Sequence, residues 1–351
     1  MLTITDGVRL GALLGVLVGD AAGATLEFSS GTISKAKAER AMRMPGGGRI
    51  DVAPGQITDD GELTLALLGA LVRSPADGQF PADAVALAYS RWHLSRPFDC
   101  GVTCTKAMGS LYLQQRLDGA PVPNPGAFMK TKAAEYNAIS EANGALMRCV
   151  PIPFLCWRQP YSKIADWARQ DALLTHPNEA CQDCNAMYAV TVAYLIKTSD
   201  DTRQRSLDAL RHAVSDLADK ANIGSKTRAW LATALTREPD ECTTNIGHVK
   251  HAMQLAFYHL ARQSSFEDGI RDTLMRGGDT DTNAAIVGGM LGALHGVNAI
   301  PKYMLRPVLL FDCSKHDPMV SGNGYRRPAE YSASRFSRLF PDLAASRSSP
   351  Q

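Results

Sequence analysis

Two apolar stretches of this chain carry a glycine at every fourth position, and this repeat constrains the fold more than any other feature. The glycines are Gly11, Gly15, Gly19 and Gly23 in the first stretch and Gly288, Gly292 and Gly296 in the second. On an α-helix a four-residue repeat forms a ridge along one face, and a ridge without side chains lets a second helix approach closely. We therefore expect both stretches to be helices that pack against each other.

Acidic residues precede the second stretch. Asp279 and Asp281 are two positions apart, so on a regular helix they would point about 200° away from each other. They can converge on one object only if they lie in a turn, with the helix beginning after them. We predict a helix from residue 283, with Asp281 or Thr282 as its N-cap and glycines giving the preceding turn its freedom.

A second acidic pair begins another predicted helix. Thr58, Asp59 and Asp60 precede an amphipathic segment at residues 62–73. Three consecutive side chains cannot share one helical face, so they can act together only at a helix start. The helix dipole also favours anions at this end, and this structural role alone would explain the pair taken in isolation.

The glycine-rich stretch near the start of the chain supplies two further acids. Asp20 and Glu27 are the only acidic residues in residues 10–28. Two close-packed helices that each bring carboxylates near one end predict a site for a hard cation. Such oxygen ligands suit Mg²⁺, Mn²⁺ or Ca²⁺ rather than zinc or copper.

The bulk composition sets limits on fold and partners. A chain of 351 residues can form one large domain or two. Because the first and last motifs must meet, we expect a single domain over residues 1–351. We expect its core to span about residues 7–300, short helices and loops from residue 301 to pack on it, and residues 347–351 to be frayed. The net charge of +2 does not indicate the basic surface that is typical of a nucleic-acid-binding protein.

The cysteines and the apolar N-terminal segment bear on compartment and membrane. Eight cysteines show no paired framework, and Cys181 and Cys184 form a CxxC without a second pair at zinc-binding spacing. We interpret them as reduced, buried thiols of a cytoplasmic protein. Residues 10–26 resemble a signal peptide, but Asp20 interrupts them and we predict an internal helix. We expect no run long enough to span a membrane.

The remaining chain is read as helices without a strand succession or a βαβ rhythm. Further helices are predicted over residues 7–28, 81–93, 105–117, 138–147, 162–174, 179–197, 202–218, 226–235, 246–263 and 266–275. Residues 29–56 and 119–126 are predicted loops. Asn143 and Gly144 fall near the middle of the 138–147 segment, where both are unfavourable, and this indicates a functional turn. The fold class is all-α.

Five segments together resemble the ADP-ribosylglycohydrolase family, in the family's order and across residues 10–300. They are GVLVGDAAGATLEF (15–28), PGQITDDGELTLAL (54–67), NGALMRCVP (143–151), THPNEA (175–180) and GGDTDTNAAIVGGMLGALHG (277–296). The segment DCGVTC (99–104) is most similar to the arginine-directed, dinitrogenase reductase-activating branch. The resemblance implies a compact orthogonal multi-helix fold with a binuclear cleft for two divalent cations, Mg²⁺ or Mn²⁺.

The resemblance also implies roles for individual residues. The implied metal ligands are Thr58, Asp59, Asp60, Asp279, Asp281 and Thr282. Asp279 matches the carboxylate that bridges both ions, and Glu27 matches an acid beside the scissile ribose. Asp99 matches a carboxylate that faces the substrate, although a simple loop acid is an alternative. Asp60 and Asp279 are expected to take part in catalysis together with Glu27 and Asp99.

Substrate contacts are implied for a further set of residues. They are Gly101, Thr103, Asn143, Gly144, Arg148, His176 and His248. Packing is the more frequent role for a residue like His176, and a structural salt bridge is an equal alternative for Arg148. At His248 the family often has a tyrosine that stacks on adenine, Gly61 replaces the family's Thr or Ser, and Lys106 stands near a frequent Arg.

The expected function is a metal-dependent hydrolase that removes ADP-ribose from an arginine side chain of a modified protein. Hydrolysis of another ADP-ribosyl linkage, to serine or a small molecule, is an alternative. A non-catalytic relative that binds ADP-ribose or a partner protein is another. The expected ligands are ADP-ribose and an ADP-ribosylated protein, without nucleic acid or membrane, and the chain is expected to be a monomer.

Overall fold

A computed structural model describes residues 3–29, 31–75, 78–201 and 206–340 of the chain. These residues form helices and two isolated β-bridges, without a strand in any described range, so the all-α prediction is confirmed. The α-helices are α1 (Ile4–Gly23), α2 (Lys35–Ala41), α3 (Asp59–Arg73), α4 (Ala82–Leu94), α5 (Val102–Asp118), α6 (Pro125–Asn137), α7 (Pro151–Cys156), α8 (Tyr161–Leu173), α9 (Glu179–Lys197), α10 (Leu207–Lys220), α11 (Ser225–Thr236), α12 (Val249–Arg262), α13 (Phe266–Met275), α14 (Thr280–His295), α15 (Lys302–Leu310) and α16 (Pro318–Ser321). Short 3₁₀ helices follow at Ala24–Leu26, Leu146–Arg148, Val297–Ala299, Ala329–Tyr331 and Ala333–Leu339.

Helices α1 and α14 pack along their glycine ridges, as the four-residue repeat predicts. A Cβ added at Gly15 would overlap the carbonyl oxygen of Gly288, and one added at Gly11 would overlap that of Gly292. The pairing continues from Gly23 to Thr280, so the numbers rise on α1 as they fall on α14 and the helices are antiparallel. The C-terminal end of α1 therefore lies beside the N-terminal end of α14, and this arrangement positions the acids of both helices.

The N-terminal helix is a core element. The stretch Ile4–Leu26 is long and apolar enough to cross a membrane by length and composition alone, so our expectation that no run reaches that length was wrong. In the structure 83% of its most apolar window is buried inside the protein. A buried core helix has the same apolar composition as a membrane-spanning one, and α1 packs against α14 on the ridge described above.

Local sequence patterns predicted several helices and loops incorrectly. Residues 138–147 do not form the predicted helix, because Ala142 pairs in a β-bridge with His248 and only Leu146–Arg148 coil into a 3₁₀ turn. Helix α6 begins at Pro125, within the predicted loop, since proline is favoured at a first helical position. Helix α2 likewise interrupts the predicted 29–56 loop, with Ser34 as its N-cap.

The starts of α3 and α14, which carry acids of the site, also lie three residues earlier than predicted. Helix α3 begins at Asp59 rather than residue 62, and α14 begins at Thr280 rather than residue 283. Asp279, rather than Asp281 or Thr282, occupies the N-cap position of α14, and its side chain makes no cap hydrogen bond. The physical reason is that distant side chains cap both helices, as the site shows. Residues 202–205 of the predicted 202–218 helix and residues 347–351 lie outside the described residues.

Candidate metal centre and cleft

Asp20 of α1 caps the start of α3. Its carboxylate accepts hydrogen bonds from the backbone N–H of Thr58 at 3.0 Å, the Thr58 hydroxyl at 2.9 Å and the backbone N–H of Gly61 at 2.8 Å. These donors are among those that a helix start leaves without an intrahelical partner. An acid of the glycine ridge thus fixes the turn that carries Asp59 and Asp60.

Glu27 does the same for α14. Its Oε2 accepts hydrogen bonds from the backbone N–H of Thr280 at 2.9 Å and from the Thr280 hydroxyl at 3.3 Å. The Thr280 hydroxyl also lies 3.0 Å from the carbonyl oxygen of Gly23, to which it donates in an alternative bond. Asp20 within α1 and Glu27 after it therefore bring the starts of α3 and α14 to one place.

Asp60 lies where the two helix starts meet. Its Oδ2 is 3.2 Å from the Thr58 hydroxyl and 3.3 Å from the hydroxyl of Thr282 on α14. Its Oδ1 is buried and has no hydrogen-bond partner among the described residues. A buried carboxylate oxygen without a donor is costly unless a cation or another group approaches it.

The acids of this region are crowded and buried, and their protonation reflects both facts. Burial raises the pKa of Asp20 to about 7, and burial together with the charge of Asp279 raises the pKa of Glu27 to about 7. Burial, followed by repulsion from neighbouring acids, holds the pKa of Asp59, Asp60 and Asp281 well above the usual range. Such an arrangement is stabilised by bound cations.

Two groups of carboxylates could hold metal ions. Oxygens of Asp20, Asp60 and Asp281 lie within 4.8 Å of one another, and so do oxygens of Glu27, Asp279 and Asp281. Together with the partnerless Asp60 oxygen, this all-oxygen donor set fits hard divalent cations. The acid common to both groups is Asp281, whereas the resemblance gave the bridging position to Asp279. The Asp279 side chain belongs to the second group and also accepts a hydrogen bond of 2.8 Å from Asn143 Nδ2.

A cavity of about 420 Å³ opens beside the acids. Most of the residues expected to form the site line it: Glu27, Asp59, Asp99, Gly101, Thr103, Asn143, Gly144, His176, Asp279, Asp281 and Thr282. Thr58 and Asp60 are buried behind its wall. The cavity therefore lies between the carboxylate groups, the turn at Asn143 and the Asp99 loop, which is the segment between α4 and α5.

The Asn143–Gly144 turn reaches the cavity through backbone contacts. The N–H of Asn143 donates to the carbonyl oxygen of Gly247 at 3.0 Å. A Cβ at Gly144 would lie 3.0 Å from the His176 ring and 3.2 Å from Cys104 Sγ, so a larger residue would have to displace these side chains by a few tenths of an ångström. Asn and Gly are unfavourable within a helix, and they are tolerated here because this segment is a turn that packs tightly at the cleft.

Arg148 lies outside the cavity, contrary to the expectation that it contacts the substrate. Its guanidinium is fully buried and bonds to Asp171 Oδ2 at 3.2 Å and to the Thr175 hydroxyl at 2.8 Å. It also donates to the carbonyl oxygen of Gly144 at 3.2 Å. Arg148 therefore supports the turn at Gly144 from behind, as the salt-bridge alternative proposed.

His248 also lies outside the cavity lining. Its Nε2 is 3.0 Å from Glu141 Oε2, and its Nδ1 accepts the backbone N–H of Lys250 at 3.1 Å. The ring packs edge-on against Trp230. Both ring nitrogens and one edge are thus engaged at the start of α12, and Ile246 and Gly247 line the cavity in its place.

Sequence reasoning named Asp20 only as an acid near the predicted cation site, without its capping role, and it assigned no role to Phe28. Asp20 was one of two acids in an otherwise apolar helix, and that isolation was the available signal. Phe28 follows Glu27, is 47% exposed, lines the cavity and has a positive φ of 55°, which is uncommon for a bulky residue. No periodicity or motif distinguishes such a backbone conformation.

His176 lines the cavity but is neutral. Burial, with a smaller contribution from the charge of Arg148, lowers the pKa of His176 to about 3. Its Nδ1 is 2.8 Å from the Thr175 hydroxyl. A neutral imidazole in this position packs against Gly144 and presents no positive charge to a ligand.

Comparison with known proteins gives one consistent result. The sequence profile of ADP-ribosylglycohydrolases matches residues 8–320. The chain is 29% identical over 293 residues to the ADP-ribosyl-[dinitrogen reductase] glycohydrolase of Rhodospirillum rubrum, covering 83% of this chain and 87% of the relative. It is 25% identical over 300 residues to the ADP-ribosylarginine hydrolase Tri1 of Pseudomonas putida (strain GB-1), covering 83% and 71%. A solved ADP-ribosylglycohydrolase-related protein complex matches with a TM-score of 0.68 and 26% identity, over 87% of this chain and 93% of the other.

Proposed function

Because the chain belongs to the ADP-ribosylglycohydrolase family and is a hydrolase of ADP-ribosyl linkages, we propose that it releases ADP-ribose from a modified arginine side chain of a protein. The observation that carries this proposal is the position of Asp99, which lines the same cavity as Glu27, Asp59 and Asp279. Two relatives are named for activity on ADP-ribosyl-dinitrogen reductase and on ADP-ribosylarginine, and they support the choice of linkage.

The metal ligands in this proposal are Thr58, Asp59, Asp60, Asp279, Asp281 and Thr282, with Asp20 and Glu27 as further carboxylates of the two groups. We propose two divalent cations, Mg²⁺ or Mn²⁺, because two carboxylate groups share one acid. When bound, such cations hold sugar hydroxyls and polarise a water molecule. Asp20 and Glu27 then have a second task, which is to hold the ligand-bearing helix starts in place.

The carboxylates also complement the charge that develops on the sugar. Cleavage of a glycosidic bond passes through an oxocarbenium-like transition state with positive charge at the ribose C1″. Glu27 and Asp279 line the cavity and bring negative charge to it. Fixed charges aimed at a developing charge lower the barrier without reorganising in the reaction.

Glu27 is the proposed proton carrier. Burial raises its pKa to about 7, close to the range in which a carboxyl group can both accept and donate a proton at neutral pH. Its Oε2 accepts the bonds from Thr280, and a hydrogen bond also joins it to Asp281. We assign proton transfer with the attacking water or the departing group to the Oε1 atom.

Asp99 is the proposed partner of the departing guanidinium. Arginine leaves readily only if it remains protonated, and a carboxylate forms a strong, charge-assisted hydrogen bond with a guanidinium. Burial, followed by the charge of Asp279, raises the pKa of Asp99. A positively charged arginine beside it would oppose that shift and favour the carboxylate form.

A linkage-resolved assay tests the proposal. ADP-ribose release is measured from arginine-linked and serine-linked peptides with Mg²⁺, with Mn²⁺ or with a chelator. We expect release from the arginine conjugate with metal and none with chelator. Release from the serine conjugate alone would overturn the linkage, and bound ADP-ribose without any turnover would indicate a non-catalytic binding protein.

A further inference from the structure

A C-terminal segment, residues 324–327, contacts two loops of the site, although it lies beyond residues 8–320 that match the family. The first contact is with Gln56, which is buried two residues before Thr58. Gln56 Nε2 donates to the Tyr325 carbonyl at 2.9 Å, and the Tyr325 N–H donates to Gln56 Oε1 at 3.0 Å. The backbone of Tyr325 is thereby fixed to the loop that leads into α3.

Gly324 permits this close approach. Its φ is +82°, and a Cβ would lie 2.7 Å from the His316 ring and 2.8 Å from the backbone nitrogen of Ala53. Its N–H donates to the Asp51 carbonyl at 2.8 Å. A side chain at residue 324 would therefore push the segment away from the loop.

Arg327 anchors the other end of the segment. Its guanidinium and the Glu62 carboxylate form a buried pair, with Nη2 at 2.7 Å from Oε2 and Nε at 2.9 Å from Oε1. The same guanidinium donates to the Ser95 carbonyl at 2.7 Å and to the Ser95 hydroxyl at 2.8 Å. Arg327 thus joins the first turn of α3 to the end of α4, where the Asp99 loop begins.

Between these anchors the Tyr325 ring lies flat on Phe98. The ring centroids are 4.2 Å apart and the planes differ by 5°. Phe98 directly precedes Asp99, which lines the cavity and whose carboxylate accepts a hydrogen bond from the N–H of its neighbour Cys100. Ser95 and Phe98 are both held by residues 325–327, so these contacts define where the loop delivers Asp99.

We propose that Tyr325 is a positioning residue that sets the place of the Asp99 carboxylate through its stack on Phe98. The inference rests on the proposed arginine-directed function, because Asp99 is the group assigned to the guanidinium. The segment thereby contributes to linkage preference without touching the ligand. Loss of the stack frees the loop between residues 95 and 99 while the metal groups keep their own contacts to Asp20 and Glu27.

The test compares Tyr325→Ala with Tyr325→Phe, which keeps the stacking face, and with Tyr303→Ala, a control at a half-exposed tyrosine on α15. Three quantities are measured on the full chain: kcat/KM for an ADP-ribosyl-arginine peptide with Mn²⁺, Kd for free ADP-ribose, and Kd for Mn²⁺. We expect Tyr325→Ala to lower kcat/KM by about tenfold, as misplacement of a binding group does. Both Kd values should stay within about twofold of wild type, since distant sites behave independently.

Reference variants separate positioning from general disruption. Asp99→Asn should show the same pattern with a larger loss, Tyr325→Phe should restore activity, and Tyr303→Ala should match wild type. If Tyr325→Ala does not fold, Tyr325→Leu retains apolar volume without the ring and takes its place. The inference would be overturned if Tyr325→Ala kept the wild-type kcat/KM, or if it lost Mn²⁺ affinity by the same factor as kcat/KM. Neither result would overturn the proposed function. Absence of arginine-conjugate turnover by the wild type would overturn the proposed function and the inference with it.

Discussion

The Glu27 carboxylate accepts a hydrogen bond of 2.9 Å from the backbone N–H of Thr280, 253 residues away in the chain. Asp20, one to two helical turns earlier, accepts equivalent bonds at the start of α3. Asp20 within α1 and Glu27 shortly after its end therefore cap the two helices that begin at Asp59 and Thr280. The close α1–α14 packing permitted by the glycine ridges is what makes these distances possible.

Replacement of Asp20 by Asn should weaken both α3 and the metal centre. The carboxamide offers one acceptor in place of two carboxylate oxygens, and its NH₂ faces the N–H groups of Thr58 and Gly61. We expect a loss of about 0.5–2 kcal/mol in the free energy of unfolding, as for other removed caps, and weaker Mn²⁺ binding. Urea denaturation and calorimetric titration measure the two effects. Asp216→Asn, at an exposed position of α10, serves as the control, and equal behaviour of the two variants would refute the capping role.

Gly61→Ala should be destabilising although alanine favours helices. The added Cβ would lie 2.7 Å from Asp20 Oδ2 and 2.9 Å from the Ile57 side chain. We expect a cost of about 1–3 kcal/mol, typical of overpacking, and reduced Mn²⁺ affinity. Gly7→Ala is the matched control, since a Cβ there meets nothing within 4 Å and should stabilise by up to about 1 kcal/mol. Equal changes in the free energy of unfolding would show that Gly61 has no steric role.

His176 should make the protein less stable as the pH falls. Burial lowers its pKa to about 3 in the folded chain, whereas the unfolded value is about 6.5. The unfolded chain thus binds more protons between these values, so stability is fully present above pH 6.5 and declines as the pH falls toward 3. The slope from this residue approaches about 1.4 kcal/mol per pH unit. Equilibrium denaturation between pH 4 and 7 should show a shallower slope in His176→Asn, while exposed His212→Asn keeps the wild-type slope. An unchanged slope in His176→Asn would contradict the buried, neutral state.

Phe28 and His248 should differ in their effect on nucleotide affinity. Phe28 is the partly exposed aromatic side chain at the cavity, and His248 is engaged with Glu141 and Lys250 away from it. We expect Phe28→Ala to raise the Kd for ADP-ribose by about fivefold to tenfold, the range expected for a lost aromatic stack of about 1 kcal/mol or more. His248→Ala should leave that Kd nearly unchanged. The reverse order of effects in a calorimetric titration would restore His248 as the stacking residue.

Local periodicity predicted part of the fold well. The predicted helices at residues 179–197 and 266–275 coincide with Glu179–Lys197 and Phe266–Met275. These helices start after Asn178 and Ser265, which accept cap bonds from their own first turns. A helix whose N-cap residue directly precedes it in the chain can be located from the sequence alone.

The errors arise where the determining contact is distant. The starts of α3 and α14 depend on Asp20 and Glu27, and no local pattern encodes those caps. The segment at residues 138–147 was read as a helix, although its backbone pairs with the residues before α12. Arg148 and His248 were expected to face the substrate because they fall in cleft-forming segments, yet their side chains point to buried or lateral partners. Asp59, Asp60 and Asp281 lie in first helical turns and Asp279 at an N-cap, near the helix starts that the spacing argument required, and their role as metal ligands stays a prediction.

Calorimetric titration of Mn²⁺ into the wild type and into Asp281→Asn tests the central claim most directly. Asp281 is common to both carboxylate groups, so its replacement affects every proposed ion. The account predicts two Mn²⁺ per wild-type chain and loss of tight binding at both positions in the variant. Failure of the wild type to bind Mn²⁺, or unaltered stoichiometry and affinity in Asp281→Asn, would contradict it.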